Sequence, residues 1–244
     1  MRIGPHVLFT GIVQARTLPP QVSILRPWKA QTCSSPACPP AHRNPANSAA
    51  SSLYHPSMTP TGQTARLVLK PLALEDAEQI QAVFPQWEIV RYLKNIVPWP
   101  YPPDGALTYI RDRALPAIAR GEQWSWTLRL KSAPDAIIGN VGLLDRKNDH
   151  RGFWLAPAFQ GRGLMTEACV WVNDFWFGTL GKPVLRVSKA VPNRASIRVS
   201  ERMGMRLVGH GEKDYVSGRF PSEIYEITAE EWREWKAEKL ASSL

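Results

Sequence analysis

The stretch His150-Arg151-Gly152-Phe153-Trp154-Leu155-Ala156-Pro157-Ala158-Phe159-Gln160-Gly161-Arg162-Gly163-Leu164-Met165-Thr166-Glu167-Ala168 decides how this chain folds. Its apolar start reads as a buried strand, Pro157 ends that strand, Gly161 and Gly163 punctuate a loop, and Leu164 begins a long helix. Glycines lack a Cβ, so such a loop can turn tightly and bring backbone amides close to a ligand. The first N–H groups of the helix have no intrahelical acceptor and carry a partial positive charge. A turn of this kind suits a phosphate or pyrophosphate.

Downstream, Leu164, Ala168, Trp171, Val172, Phe175 and Trp176 recur at helical spacing and predict a core-facing stripe. A strand is predicted over 183–188, a short helix over 193–203 closed by Gly204, and two more strands over 205–216 and 220–227. Thr228-Ala229-Glu230-Glu231 spells a capping box, with Ile227 and Trp232 placed as its hydrophobic staple. Upstream, Arg66-Leu67-Val68-Leu69 predicts a short strand. Glu75 and Asp76 open a helix whose apolar side is Ile80, Val83 and Phe84. Asp104 is placed to cap a helix through Ala119 with Leu107, Ile110, Ala114, Leu115 and Ile118 inward, and Pro116 should kink it or end it early. Residues 123–130 and 136–144 alternate like strands around a turn at 132–135. The sum is an α+β fold with one mixed, mostly antiparallel sheet. The strands on either side of the glycine turn and its helix can pair in parallel through that crossover.

Composition narrows the class. The chain is 44% hydrophobic and 21% charged, typical of a globular protein, and no apolar run approaches the roughly 20 residues of a membrane-spanning helix. The formal charge of +9 is uneven: no Asp or Glu precedes Glu75, whereas Arg2, Arg16, Arg26, Lys29, Arg43, Arg66 and Lys70 do. Prolines and Ser/Ala runs mark 1–57 as a disordered or dispensable leader, with the folded domain over 58–244. An acid-free leader also fits a transit peptide, but its prolines and lack of an amphipathic helix argue against one. Cys33 and Cys38 have no zinc-site partners, and Cys169 reads as a small core residue. No metal site is expected.

A P-loop needs Lys-Ser/Thr after its last glycine, and here Gly163 is followed by Leu164 and Met165. A dinucleotide fingerprint needs a third glycine where Thr166 stands. The run from Gly152 through Ala168 instead resembles the acyl-CoA-binding motif of the GNAT superfamily of N-acetyltransferases, most of all its RimJ/RimL branch. Arg66-Leu67-Val68-Leu69, the Pro98-Trp99-Pro100-Tyr101-Pro102 loop with Ala106 and Tyr109-Ile110, and Asn193-Arg194-Ala195-Ser196 through Met203-Gly204-Met205 resemble that branch in the same order.

The resemblance implies a GNAT-like mixed sheet in which a parallel strand pair splays apart, flanked by helices. It implies acetyl-CoA as co-substrate, its pyrophosphate on Gly161, Arg162, Gly163, Leu164, Met165 and Thr166. The pantetheine is expected on backbone around Trp154, Leu155 and Ala156, with Asn193 and Ser196 holding its far end. His150 stands where the branch often has a glutamate and is the expected general base, with Asp145, Asp149 and Glu223 as alternatives. Ser196 is the expected donor to the leaving sulfur, because Ser200 occupies the place of the tyrosine many members use; Tyr215 is a further candidate. Ala158 departs from the usual glutamine or arginine. Trp87, Trp99, Tyr101, Trp124 and Trp126 fall in segments expected to flank the acceptor; most are expected to be core, with one or two lining an acceptor pocket.

The expected function is transfer of an acetyl group to a primary amine, on a protein N-terminus or a small molecule, in the cytoplasm. A non-catalytic acyl-CoA sensor is the alternative. Neither membrane nor nucleic acid is an expected partner, and a homodimer is compatible with the sequence.

Overall fold

The computed structural model describes residues 59–242. The leader expected over 1–57, with Cys33 and Cys38, lies outside the described residues. Among the described residues no helix is long and apolar enough to cross a membrane.

Five strands, β1 (Gly62–Gln63), β2 (Leu67–Pro71), β3 (Gln123–Leu130), β4 (Gly139–Leu144) and β5 (Arg151–Leu155), pair antiparallel in that order. Three more, β6 (Val184–Ala190), β7 (Arg206–Tyr215) and β8 (Gly218–Thr228), form a second antiparallel sheet with β8 in the middle. In β3 the residues from Gln123 to Arg129 are all buried, so both faces of the first sheet are covered. On one face lies helix α5 (Leu164–Asp174), where Leu164, Ala168 and Val172 pack with Phe175 and Trp176 against Trp124, Trp126, Leu128 and Val141. A smaller cluster of Ile80, Phe84, Val90, Ala106, Ile110 and Ala114 comes from α1 (Ala77–Val83), α2 (Trp87–Val90), α3 (Gly105–Tyr109) and the turns beside them. Trp154 packs on this second cluster and Leu155 in the first, as strand alternation requires.

The helix expected from Asp104 to Ala119 is there, with a change of pitch. A π turn at Ile110–Ala114 separates α3 from α4 (Leu115–Ala119). Pro116 lacks an N–H and would crowd the carbonyl four residues back, and the wider turn before it relieves both problems. The buried row is Ala106, Ile110 and Ala114, while Leu107 is 39% exposed. Asp104 occupies the N-cap position without a side-chain cap; its carboxylate takes the Thr108 hydroxyl at 3.2 Å. The last two helices, α6 (Arg194–Arg202) and α7 (Ala229–Ala241), follow the expected pattern: Gly204 ends the α6 segment at φ 71°, and Thr228 and Glu231 cap α7 reciprocally.

The expected α+β architecture of antiparallel strands with flanking helices is present, with the strands bonded as two ladders on either side of the expected splayed pair. β5 and β6, the expected parallel pair, meet at a single clasp: His150 N–H donates to Arg186 O at 2.8 Å, Arg186 N–H to His150 Nδ1 at 2.9 Å, and Ser188 N–H to Asp149 Oδ1 at 2.8 Å. Past the clasp no ladder joins them among the described residues, and a cleft opens in the gap.

Candidate functional site

The glycine turn stands at one end of this cleft. Gly161 and Gly163 adopt φ of 73° and 77°, the left-handed region that side chains other than glycine strain to reach. Space is not the reason: a Cβ on Gly161 would meet nothing within 4 Å, and one on Gly163 only the Arg66 guanidinium at 3.6 Å. Gly163 is the N-cap of α5 and offers no side-chain acceptor, so the first helix amides are left for a ligand. Glu167 accepts from Arg66 N–H and Arg66 Nε, both at 2.7 Å, and from the Thr64 hydroxyl; Arg66 Nη1 then reaches Arg162 O at 3.0 Å. This clamp ties the turn to the start of β2, and burial is outweighed by these donors in holding Glu167 below its ordinary range.

Backbone direction along β5 follows from the ladder. Leu144 N–H donates to His150 O, and Ala156 N–H to Ile138 O, both at 2.8 Å. In the antiparallel register between them, Trp154 also points its polar groups at β4. The gap-facing groups therefore belong to Phe153 and Leu155, and the carbonyl of Leu155 takes Gln160 Nε2 at 2.8 Å. Of the expected backbone trio only Leu155 faces the gap, with Phe153 beside it, while Trp154 and the Ala156 N–H point into the sheet.

The cleft measures about 1260 Å³ and is lined by Gly161, Gly163, Leu164, Met165 and Thr166 at one end, Phe153, Leu155, Lys189, Asn193 and Ser196 in the middle, and Tyr101 and Tyr109 toward α3. Arg162 lies outside this lining: its carbonyl holds Arg66 and its guanidinium sits 5.8 Å from the Phe159 ring. Asn193 caps α6 by accepting Ser196 N–H at 3.2 Å. Ser200 is fully buried with an unpartnered Oγ and lies off the cleft.

His150 requires correction as the general base. Its Nδ1 accepts from Arg186 N–H, so the ring proton belongs on Nε2, which donates to Arg146 O at 2.8 Å. The ring stacks on Trp176 at 5.0 Å and is only 8% exposed. Burial holds it below its ordinary value, and no lone pair faces the cleft. Its work is the clasp between β5 and β6.

The carboxylate alternatives are also engaged. Asp149, at φ 61°, bonds Lys213 at 2.6 Å and pairs with Lys94 at 3.1 Å; burial raises it, but these lysines and the Ser188 side chain bring it far below the usual carboxylate range. Asp145 pairs with Lys182 at 2.7 Å, and Glu223 takes the Tyr225 hydroxyl at 2.8 Å. Tyr215 shares its hydroxyl with Ser222 at 2.7 Å and is pushed up by burial.

The aromatic residues divide. Trp124 and Trp126 are core, at 2% and 0% exposed, packed with Phe175. Trp87 and Trp99 pair at 5.5 Å on the surface. Tyr101 lines the cleft edge-on to Phe84, and burial, with help from Tyr109 and Asp104, pushes it up to about 12.

Two buried bases carried no sequence signal beyond their place in a strand. Arg151 donates to Asn173 at 2.5 Å and to the sulfurs of Met203 and Met205 at 3.6 Å, with its Nε unpartnered. Lys189 lines the gap. Among the described residues no group of three or more His, Cys, Asp or Glu is placed to hold a metal ion.

The chain is similar to known proteins across this region. A Bacillus subtilis protein named as a candidate ribosomal N-acetyltransferase, YdaF, is 32% identical over 103 residues, which is 42% of this chain and 55% of YdaF. The matched region thus spans about half of that relative. YoaA of Bacillus subtilis, an uncharacterised N-acetyltransferase by name, is 28% identical over 62% of this chain and 86% of its own length. Among solved structures, Mycobacterium smegmatis RimJ in complex with CoA-disulfide superposes with a TM-score of 0.62 at 19% identity, covering 75% of this chain and 93% of that one. The ribosomal-protein-S5-alanine acetyltransferase from Vibrio fischeri gives 0.61 at 15% identity, covering 70% and 98%. At these identities the superpositions establish the fold. Residues 66–206 match the acetyltransferase (GNAT) domain family, and with more than half of its length inside that match, the chain belongs to the GNAT acetyltransferases.

Proposed function

We propose that this protein transfers the acetyl group of acetyl-CoA to a primary amine carried by a protein N-terminus or a small molecule. The observation that carries this is the continuity of the cleft, from the uncapped start of α5, through the gap between β5 and β6, to the tyrosines near α3. At about 1260 Å³ it exceeds the roughly 300–1,000 Å³ of a site for one small ligand. Two substrates can therefore meet inside it.

The residues present fit coenzyme A. Uncapped amides of Leu164 to Thr166 and the open space over Gly161 suit a pyrophosphate. Leu155 and Phe153 present backbone to the gap, where a pantetheine arm can add hydrogen bonds as a short extra strand. When bound, the thioester supplies an activated acetyl group. Gap-facing N–H groups on β5 can stabilise the oxyanion that develops as an amine attacks. Asn193 and Ser196 stand on the opposite wall. RimL and MccE among the fold neighbours are named as complexes with coenzyme A and with acetyl-CoA. The names of YdaF and the S5-alanine enzyme support a protein N-terminus as one acceptor class.

The test is a screen of amines and N-terminal peptides with acetyl-CoA, reading free thiol and acetylated product. Thiol release matched by acetylated amine is the expected outcome. Tight coenzyme A binding with no turnover on any amine would make the domain an acyl-CoA sensor instead.

A further inference from the structure

The gap between β5 and β6 holds a buried base without a counter-ion. Lys189 on β6 is 7% exposed, lines the cleft, and places Nζ 4.5 Å from the centroid of Phe153 on the facing strand. Among the described residues it makes neither hydrogen bond nor ion pair. The groups around it do not neutralise it. Arg151 from β5 is a like charge and Cys169 from α5 is a buried thiol whose protonated form burial favours. Asp149, ahead of β5, is held by Lys213 and Lys94. Glu223, opposite on β8, takes the Tyr225 hydroxyl.

Burial first, then Arg151, lowers Lys189 to about 7, against weaker pulls from Cys169 and Asp149. Burying an unpaired amine is costly, and an anion arriving in the gap would repay that cost. Position suggests which anion. With a pyrophosphate on the turn at 161–166, an arm following the gap-facing backbone of Leu155 and then Phe153 brings its sulfur end beside Phe153 and Lys189. Ser200 is buried off the cleft and cannot serve there. Ser196 lines the gap but is neutral.

We propose that Lys189 is the proton donor to the leaving sulfur, a catalytic residue of the transfer proposed above, on which this inference rests. The acceptor nitrogen bonds to the thioester carbonyl carbon, and the carbon–sulfur bond breaks with its electron pair going to sulfur. Lys189 Nζ gives that sulfur a proton. The acceptor nitrogen loses its own proton to water, and Lys189 is reprotonated from solvent before the next cycle. An amine that titrates near neutrality suits this exchange.

The experiment compares the full-length wild type with Lys189→Met, Lys189→Arg and Ser196→Ala. Coenzyme A binding is followed by calorimetry, and turnover by thiol release across pH. The expected result is retained coenzyme A affinity in all four proteins, the bound sulfur being a thiol because Lys189 hands its proton to it. In turnover, Lys189→Met should lower kcat by about a hundredfold or more with KM for acetyl-CoA little changed. The wild type should lose kcat on the alkaline side; that limb should vanish in Lys189→Met and move to higher pH in Lys189→Arg, which keeps a donor. Unchanged kcat in Lys189→Met, an alkaline limb that persists there, or loss of that limb in Ser196→Ala alone would overturn the assignment. Turnover in the wild type with no loss of kcat on the alkaline side overturns Lys189 only. Failure of the wild type to bind coenzyme A overturns the transferase reading itself, and this inference with it.

Discussion

Helices α5 and α7 begin in opposite ways. At α7 the Thr228 hydroxyl accepts Glu231 N–H at 3.2 Å and the Glu231 carboxylate accepts Thr228 N–H at 2.8 Å, so the helix start closes on itself. At α5 the N-cap is Gly163, with no side chain to close anything. The buried cations show the same contrast. Arg129, 6% exposed, meets Asp76 at 2.7 Å and the carbonyl of Asp135 at 2.8 Å, whereas among the described residues Arg151 and Lys189 pair with no carboxylate. Satisfied groups hold the fold. Arg151 and Lys189 both line the cleft, where a ligand can complete them.

Four measurements bear on that contrast, from the largest expected effect to the smallest. Asp76→Ala strands Arg129 in the interior and should cost about 3–5 kcal/mol of stability in urea unfolding, while folded molecules keep their coenzyme A affinity. An equal loss of affinity would show that the closed region is not separate from the cleft. Gly163→Val puts a branched side chain at φ 77° and over the amides, and should weaken coenzyme A binding by at least about a hundredfold, about 2.7 kcal/mol. Normal affinity in that variant would break the assignment of the open cap. Thr228→Ala removes half of the α7 box and should cost about 1 kcal/mol, read by thermal unfolding, without touching binding.

The fourth concerns pH. Burial keeps His150 below its ordinary value of 6.5, so below that pH the unfolded chain takes a proton that the folded one refuses. Stability is therefore full above about pH 6.5 and falls as the pH drops through it. His150→Phe should flatten that slope in apo-protein melting curves. An unchanged slope would mean that the imidazole is not closed in the clasp.

Much of this was legible because its causes are local. The stripe along α5 carries its own period, the capping box its own spacing, and Gly161 and Gly163 announce positive φ wherever the turn sits. Leu107 failed as an inward residue because Ala106, one position earlier, lies on the buried row. That most of the five aromatics would be core was legible; that Trp124 and Trp126 are the core pair was decided by their packing with Phe175 and Trp176.

His150 shows the limit most clearly. Its chemistry depends on Arg186, 36 residues away, and on Trp176 stacked over its ring. Read in the chain it is an imidazole with a free lone pair; in the fold it is a closed clasp. Lys189 runs the other way, from an unremarked strand residue to an unpaired buried base facing Phe153. The sequence by itself determined the elements, the glycine turn and the family motif, because these rest on spacing and backbone conformation. Only the tertiary structure decided which polar groups are satisfied and which are left open, since that is a property of neighbours brought together from distant parts of the chain.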